Sequence, residues 1–299
     1  KLKADCVFTF QLSPIMQALV GVWFANRRRI PHYIYVQDLW PESVEIVTGI
    51  HNKAIIGAIR KMACYIYRHS KKVLVTSPGF ADIMKDRVDI PEKVVYWPQY
   101  AEEFYYPREK KSVLEIPESK TFKIIFTGNI GFAQGLDILP KVAKRLREHE
   151  MDDVQFVLVG DGRYKEKILE EISKNDVSDM FIVVDRQPAE RIPELLAACD
   201  AAFLSLVDDP LLVKTIPAKL QSYMACGMPI IAAVNGEATR IVQEADCGIC
   251  CTIGDADELE KQIIELKNNP NLERLAQNSK TYFDANFEKQ MLMDQVEKV

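Results

Sequence analysis

The sequence has no apolar run approaching the roughly 18 residues that a membrane-spanning helix needs, so a spanning segment is not expected in it. Histidine is scarce, at four residues, and no Ser/His/Asp arrangement for nucleophilic catalysis can be assembled. Seven cysteines, an odd number in a long chain, do not read as a disulfide framework, and the soluble cytoplasmic side is the expected compartment. Cys247-Gly-Ile-Cys250-Cys251 has CxxC spacing but no second such pair, so it reads as structural thiols on a strand and not as a metal site. A G-x-G-x-x-G dinucleotide fingerprint is missing, and no internal repeat occurs. Lys1 opens into polar sequence and then Val7-Phe8-Thr9-Phe10, so no signal peptide is expected.

What is present is enough chain for about two domains: 299 residues, 48% of them hydrophobic. The net charge of −5 hides an asymmetry. Residues 1–100 carry 14 Lys and Arg against 8 Asp and Glu, and the remainder 24 against 35. A basic first part and an acidic second part predict two units with different partners. Nucleic acid is not among them, because no motif or basic–aromatic stripe accompanies the charge.

Strand patterns alternate with helical ones throughout. Val7–Phe10, Tyr33–Val36, Val73–Thr76 and Val94–Tyr96 read as strands of the first part, with helices over 15–26 and 52–68. That count is short for a complete Rossmann-like half, and an N-terminal portion is expected outside this chain. A Pro-, Glu- and Lys-rich stretch from Pro98 to Lys120 without periodicity marks a boundary near 105–120. Beyond it come near-continuous apolar strands at Phe122–Thr127, Val154–Val159, Met180–Val184, Ala201–Leu206, Pro229–Ala233 and Gly248–Thr252, with amphipathic helices between them. Such a series predicts a doubly wound parallel sheet covered on both faces. Helices over 256–267 and 271–299 close the chain.

Three loops at the carboxyl ends of these strands carry the candidate chemistry. The first strand of the second part runs into Gly128-Asn129-Ile130-Gly131 and Gln134-Gly135; the next ends in Gly160-Asp161-Gly162. The third loop precedes a helix that Gly227 stops, with Thr215 as expected N-cap and Pro217 in its first turn. A helix N-terminus in such a loop favours an anion, and Lys214 and Lys219 add cations. An ordinary strand–helix connection with surface lysines accounts for the same residues, and a tight turn for each glycine loop. Together the three point to a nucleotide-diphosphate site.

Those residues resemble a family. Gly128-Asn129-Ile130-Gly131 with Gln134-Gly135-Leu136-Asp137, Val159-Gly160-Asp161-Gly162, and Pro217-Ala-Lys219-Leu-Gln-Ser222-Tyr-Met-Ala-Cys-Gly227-Met-Pro229 look like the C-terminal domain of family 4 retaining glycosyltransferases. Asp38-Leu39-Trp40-Pro41-Glu42 and Trp97-Pro98-Gln99 are similar to the O-antigen and capsule branch of that family. The resemblance implies a GT-B fold: two Rossmann-like doubly wound parallel-sheet domains facing a cleft, the N-terminal one incomplete here. It implies an acceptor-side domain over 1–110, a nucleotide-sugar domain over 111–285, and a C-terminal helix over 286–299 packing back on the first. It also implies metal-independent transfer from a nucleotide sugar, UDP-linked by family habit, with no cofactor. The acceptor would be a sugar or a lipid-diphosphate-linked sugar at the cytoplasmic face of an anionic membrane.

Departures from the family pattern shift the expected roles. Asn129 and Gln134 stand where many members hold the diphosphate with Arg and Lys; Lys214 and Ser222 align with two glutamates; Gln37 replaces a frequent His. Cation duty is therefore expected of Lys219, Lys214 and the helix N-terminus beginning near Ile216. The residues expected to bind the nucleotide are Gly128, Asn129, Gly131, Gln134, Gly160, Lys214, Thr215, Ile216, Pro217 and Ser222. Asp38, Glu42 and Lys219 are the expected catalytic residues, with loop capping as the plain alternative for Asp38 and Glu42. Asp255-x-Asp257 imitates a metal-binding pair but opens a helix, so it reads as a cap. Two basic, apolar helices, at 15–29 and 55–72, are either core-facing or a peripheral membrane contact. A nucleotide-sugar epimerase or a non-catalytic nucleotide-sugar-binding subunit would fit the same fold.

Overall fold

A computed structural model describes residues 3–44, 52–87 and 91–298. Its contacts group Lys1–Gln99 with Leu292–Val299, and separately Tyr100–Met291. In the first unit, strands β1 (Val7–Gln11), β2 (His32–Val36), β3 (Lys72–Val75) and β4 (Val94–Tyr96) form a parallel sheet in that order. β-branched and aromatic residues make these runs strand-forming, and parallel pairing requires the helical crossovers that the sequence supplies. They are α1 (Ala18–Arg28), α2 (Lys53–Arg68) and α3 (Pro78–Arg87). Asn52 starts α2 by accepting the Ala54 and Ile55 N–H groups at 3.0 and 3.3 Å. α1 begins at Ala18, after a single turn of 3-10 helix over Ile15–Gln17, and ends on Arg29 in the left-handed region. His32, at the start of β2, is buried between the Thr9 and Ser70 hydroxyls at 2.8 and 2.9 Å.

The second unit has six parallel strands: β5 (Phe122–Asn129), β6 (Val154–Asp161), β7 (Phe181–Val184), β8 (Ala201–Ser205), β9 (Ile230–Ala233) and β10 (Gly248–Cys250). Alternate strand residues enter opposite cores. Ile125, Val157, Ala202 and Ile230 face one layer; Ile124, Phe156, Phe203 and Ile231 face the other. Both faces are covered, which is why the strands are apolar almost throughout. The crossovers are α4 (Ile138–Glu148), α5 (Lys165–Lys174), α6 (Ile192–Ala197), α7 (Ala218–Ala225) and α8 (Glu237–Glu244). α9 (Ala256–Lys267), α10 (Leu272–Asn286) and α11 (Lys289–Val296) complete the chain, so the closing helix expected over 271–299 is two helices.

The strand order, β10-β9-β8-β5-β6-β7, positions the site. The chain builds outward from β5 through β6 to β7, then returns to β8 on the other side of β5. Crossovers on the two sides of such a reversal diverge, leaving a crevice at the carboxyl ends of the strands. Asp255 accepts the Asp257 and Glu258 N–H groups at 3.0 and 2.9 Å, making it the cap of α9. The thiols of Cys247, Cys250 and Cys251 sit on or beside β10, and burial pushes them up to about 12, about 11 and about 12. None is poised as a thiolate.

Candidate functional site

β5 and β6 carry their pairing through to their last residues, with Gly128 beside Gly160 and Asn129 beside Asp161. Only glycine fits at 160: its φ is +148°, and a Cβ would lie 1.9 Å from the Gly128 carbonyl oxygen. The two backbones therefore approach without side chains between them. They floor a cleft of about 680 Å³ with Thr127, Asn129, Asp161 and Gly162. Its walls are the loop after β7 at Arg186, Gln187 and Ala189, then Ile192, Tyr105, and the first turns of α7 at Ala218, Lys219 and Ser222.

Lys219 is the cation of this cleft's α7 wall. Its stem is drawn in so that Nζ stands 3.9 Å from the centroid of the buried Phe126 ring and donates to Gln134 Oε1. Both neighbours are neutral. Desolvation among them pushes the ammonium down to about 7 from its ordinary value near 10.5. A lysine so placed is short of negative charge, and an anion in the cleft would restore its proton. Gln134 is fixed in turn, because its backbone carbonyl accepts from the Ser205 hydroxyl at 2.5 Å. Tyr105 is raised above its ordinary value by burial, an effect partly offset by a hydrogen bond to Ser222.

The α7 start differs from the expectation. The helix begins at Ala218 with Pro217 in the N-cap position and no side-chain cap. Thr215 is not the cap; its hydroxyl donates to the Leu211 carbonyl at 3.1 Å, closing the turn before it. Pro217 stands one place earlier than a first-turn proline, because its φ of −66° comes with an extended ψ of 133°. Ile216, 2% exposed, packs into the core under α7 and lies two residues before the helix begins. Gly227 does end the helix region, at φ +66°. Of the expected nucleotide contacts, Gly128, Asn129, Gly160 and Ser222 line the cleft with Lys219. Gln134 reaches it through Lys219. Gly131, Lys214, Thr215, Ile216 and Pro217 are not among the lining residues; Lys214 ends a short 3-10 turn, Leu212–Lys214.

Asp38 and Glu42 lie in the first unit, past the carboxyl end of β2. Asp38 Oδ2 accepts from the Ser13 hydroxyl at 2.7 Å, and that hydroxyl accepts from Trp40 Nε1 at 3.1 Å. Glu42 is committed differently: Oε1 pairs with Arg87 at 2.5 Å and with Arg60 at 3.7 Å, while Arg87 also donates to the Trp40 carbonyl. Oε1 thus fastens the loop to α3, while Oε2 is buried with no partner among the described residues. The cleft residues missed in the sequence are Tyr105, Thr127, Arg186, Gln187, Ala189 and Ile192. Arg186 and Gln187 obey the same positional rule as the glycine loops, following a strand of the same edge. Tyr105 comes from the aperiodic linker and left no local signal.

Comparisons with known proteins bear on the family and the fold. The family model described as "Glycosyl transferases group 1" matches residues 108–282. Among curated proteins, the chain is 26% identical over 244 residues to the "Probable glycosyltransferase WbjE" of Pseudomonas aeruginosa, covering 78% of this chain and 59% of that one. It is 24% identical to the N-acetyl-alpha-D-glucosaminyl L-malate synthase of Bacillus anthracis, covering 82% and 65%. The chain thus spans about three-fifths of the length of these relatives. Among solved structures, Anabaena HepE in complex with UDP and glucose is similar at a TM-score of 0.79 and 17% identity, over 98% of this chain and 77% of that one. WaaG, a glycosyltransferase involved in lipopolysaccharide biosynthesis, is similar at 0.70 and 12%, over 94% and 81%. These likenesses are of fold, and the fold is GT-B, as the sequence led us to expect.

Proposed function

The chain belongs to the glycosyl transferases group 1 family, and from that premise we propose that it is a retaining glycosyltransferase of family 4. In this reading it moves a sugar from a UDP-linked donor to an acceptor in O-antigen or capsule assembly, the acceptor being a sugar on a lipid diphosphate. The observation that carries the reading is the cleft itself: paired glycine turns leave backbone room for a diphosphate beside Lys219, whose neighbours bring no countercharge. Retaining transfer passes through an oxocarbenium-like transition state while negative charge grows on the departing diphosphate. A cation and a helix start fixed in advance beside that diphosphate lower the barrier most at the moment of departure. Lys219 and the Ala218 end of α7 take that role, and the uncharged Asn129 and Gln134 orient.

The donor is supported by HepE, solved with UDP and with UDP-glucose, and the pathway by WaaG, a glycosyltransferase involved in lipopolysaccharide biosynthesis. Peripheral contact with an anionic membrane at the cytoplasmic face completes the proposal; among the described residues no helix is long and apolar enough to cross a membrane. Exposed Val20 and Trp23 beside Arg27 on α1, and Ile55 and Tyr65 on α2, are its candidate surface. Calorimetry with UDP tests the donor site: binding by the parent, weakened at least about tenfold in Lys219→Ala, is the expected result. Unchanged affinity in the variant overturns the role of Lys219. Incubation with radiolabelled UDP-sugars and a membrane acceptor fraction then separates transfer from epimerised donor or from binding without turnover.

A further inference from the structure

The aperiodic linker before β5 touches the diphosphate cleft from two sides. Tyr105 lines the cleft, and its phenol is hydrogen-bonded to Ser222 on α7. Further on, Val113 and Ile116 exchange backbone hydrogen bonds at 3.2 and 3.1 Å, closing a small clip. Ile116 anchors the clip, fully buried in the layer that holds Val157, Val184 and Leu195. Glu115, at the tip, takes both ends of the Arg191 guanidinium at 2.7 and 3.1 Å. The same guanidinium donates to Gln187 Oε1 at 3.2 Å, and Gln187 Nε2 donates to the Asp185 carbonyl at 3.2 Å. A chain of polar contacts thus runs from the linker, through the residue that precedes α6, into the loop after β7. Gln187 lines the cleft there, with Arg186 and Ala189 beside it.

The sheet order says which part of a nucleotide meets that wall. β7 is an edge strand, two strand spacings or about 10 Å from β5. A nucleoside diphosphate seated with its phosphates over Gly128 and Gly160, beside Lys219, therefore turns its nucleoside towards the loop after β7. That loop follows a strand with a neighbour on one side only, so its position depends on the side chains that tie it. Two features make the Glu115–Arg191 pair a tie of position more than of stability. It is bidentate, which fixes direction as well as distance. Its side chains are 23% and 40% exposed, so water screens the pair and it adds little to folding. We propose that Glu115 and Arg191 are positioning residues for the nucleoside end of the donor, holding Gln187 and its loop in the shape the nucleoside meets. The linker is then a working part of the donor site. This inference rests on the nucleotide-sugar reading of the cleft.

The test is a double-mutant cycle in the full chain, read by calorimetry with UDP. Glu115→Gln keeps the side-chain size and removes the charge that orients Arg191. It should weaken UDP binding about fivefold while the melting temperature stays within about 1 °C of the parent. Gln187→Ala should weaken UDP at least as much. If Glu115 acts through Gln187, the two losses do not add, and the double variant binds within about twofold of Gln187→Ala alone. A merely structural pair would move the melting temperature and leave no such coupling. Unchanged UDP affinity in Glu115→Gln, or losses that add in full, overturns the proposal. UMP, measured by displacement of UDP, should lose the same factor in Glu115→Gln; a loss confined to UDP places the effect at the phosphates and overturns the nucleoside assignment. Failure of the parent to bind UDP overturns the reading of the cleft itself, and the positioning role falls with it.

Discussion

The carboxyl edges of the two sheets obey one topological rule and follow opposite electrostatic ones. In the second unit the edge has bare backbone at Gly128 and Gly160, Lys219 among neutral neighbours and Arg186 in the wall, against one carboxylate, Asp161, which accepts the Gly162 N–H. In the first unit the edge is amide-rich, and its charges are already matched or negative: Glu42 is held by Arg87 and Arg60, and Asp38 by Ser13. The second edge is suited to an anion, and the first engages its carboxylates with its own side chains. The contrast also explains why the sequence-wide charge asymmetry misleads. The first unit is the basic one, yet Arg60 and Arg87 at its polar edge are engaged by Glu42.

The largest break of the contrast is to remove the second edge's cation. Lys219→Met keeps the stem over Phe126 and deletes the charge, and kcat should fall about 10²–10³-fold, as for loss of one preorganised stabiliser of developing charge. Steady-state kinetics at saturating donor measures it; a fall in donor affinity with kcat intact would mean that Lys219 only binds.

A comparable effect is expected on the other side of the contrast, in stability. His32 stays neutral between two hydroxyls, and burial pushes it down to about 4. Because the folded value lies below the unfolded one near 6.5, the unfolded chain takes up the proton first. Stability is full above about pH 6.5 and drains as pH falls towards 4, by about 3 kcal/mol. Urea unfolding from pH 8 to 4, with His32→Gln as control, should show this slope in the parent alone.

Next in size is the first edge's own ion pair. Glu42→Gln leaves Arg87, 16% exposed along its side chain, without its countercharge, and should cost about 2 kcal/mol. Chemical denaturation measures the loss. The turnover of the folded variant should change far less than that of Lys219→Met; a larger loss of kcat than of stability would return Glu42 to the catalytic group.

These particulars also show what the sequence could and could not tell. The doubly wound sheet was legible because apolar strand runs and the helical periods between them agree over every strand of the second unit. The glycine loops were legible because only glycine tolerates the Gly128–Gly160 approach. The start of α7 was not: Thr215 is a good cap by residue type, yet the 3-10 turn before it claims its hydroxyl for Leu211. Nor was the Lys219–Gln134 contact, which spans 85 positions and exists because β5 and β8 are neighbours. Gln37 and Gln99, 62 apart, meet for the same kind of reason. Local chemistry names the residues; the sheet order decides which of them meet.

The smallest expected effect sharpens the contrast without mutation. With its ammonium pushed down to about 7, Lys219 in the free protein is increasingly neutral above that pH. A UDP-sugar is a diphosphate diester whose charge stays constant there, so it binds the protonated lysine better and must raise its pKa. Affinity should therefore be flat below about pH 7 and fall about tenfold by pH 8.5. Between those limits, binding should take up a proton, visible as an enthalpy that varies with the ionisation heat of the buffer. Lys219→Met should bind weakly at every pH, with no proton uptake. A pH-dependent affinity that survives Lys219→Met would move the titrating group elsewhere in the cleft.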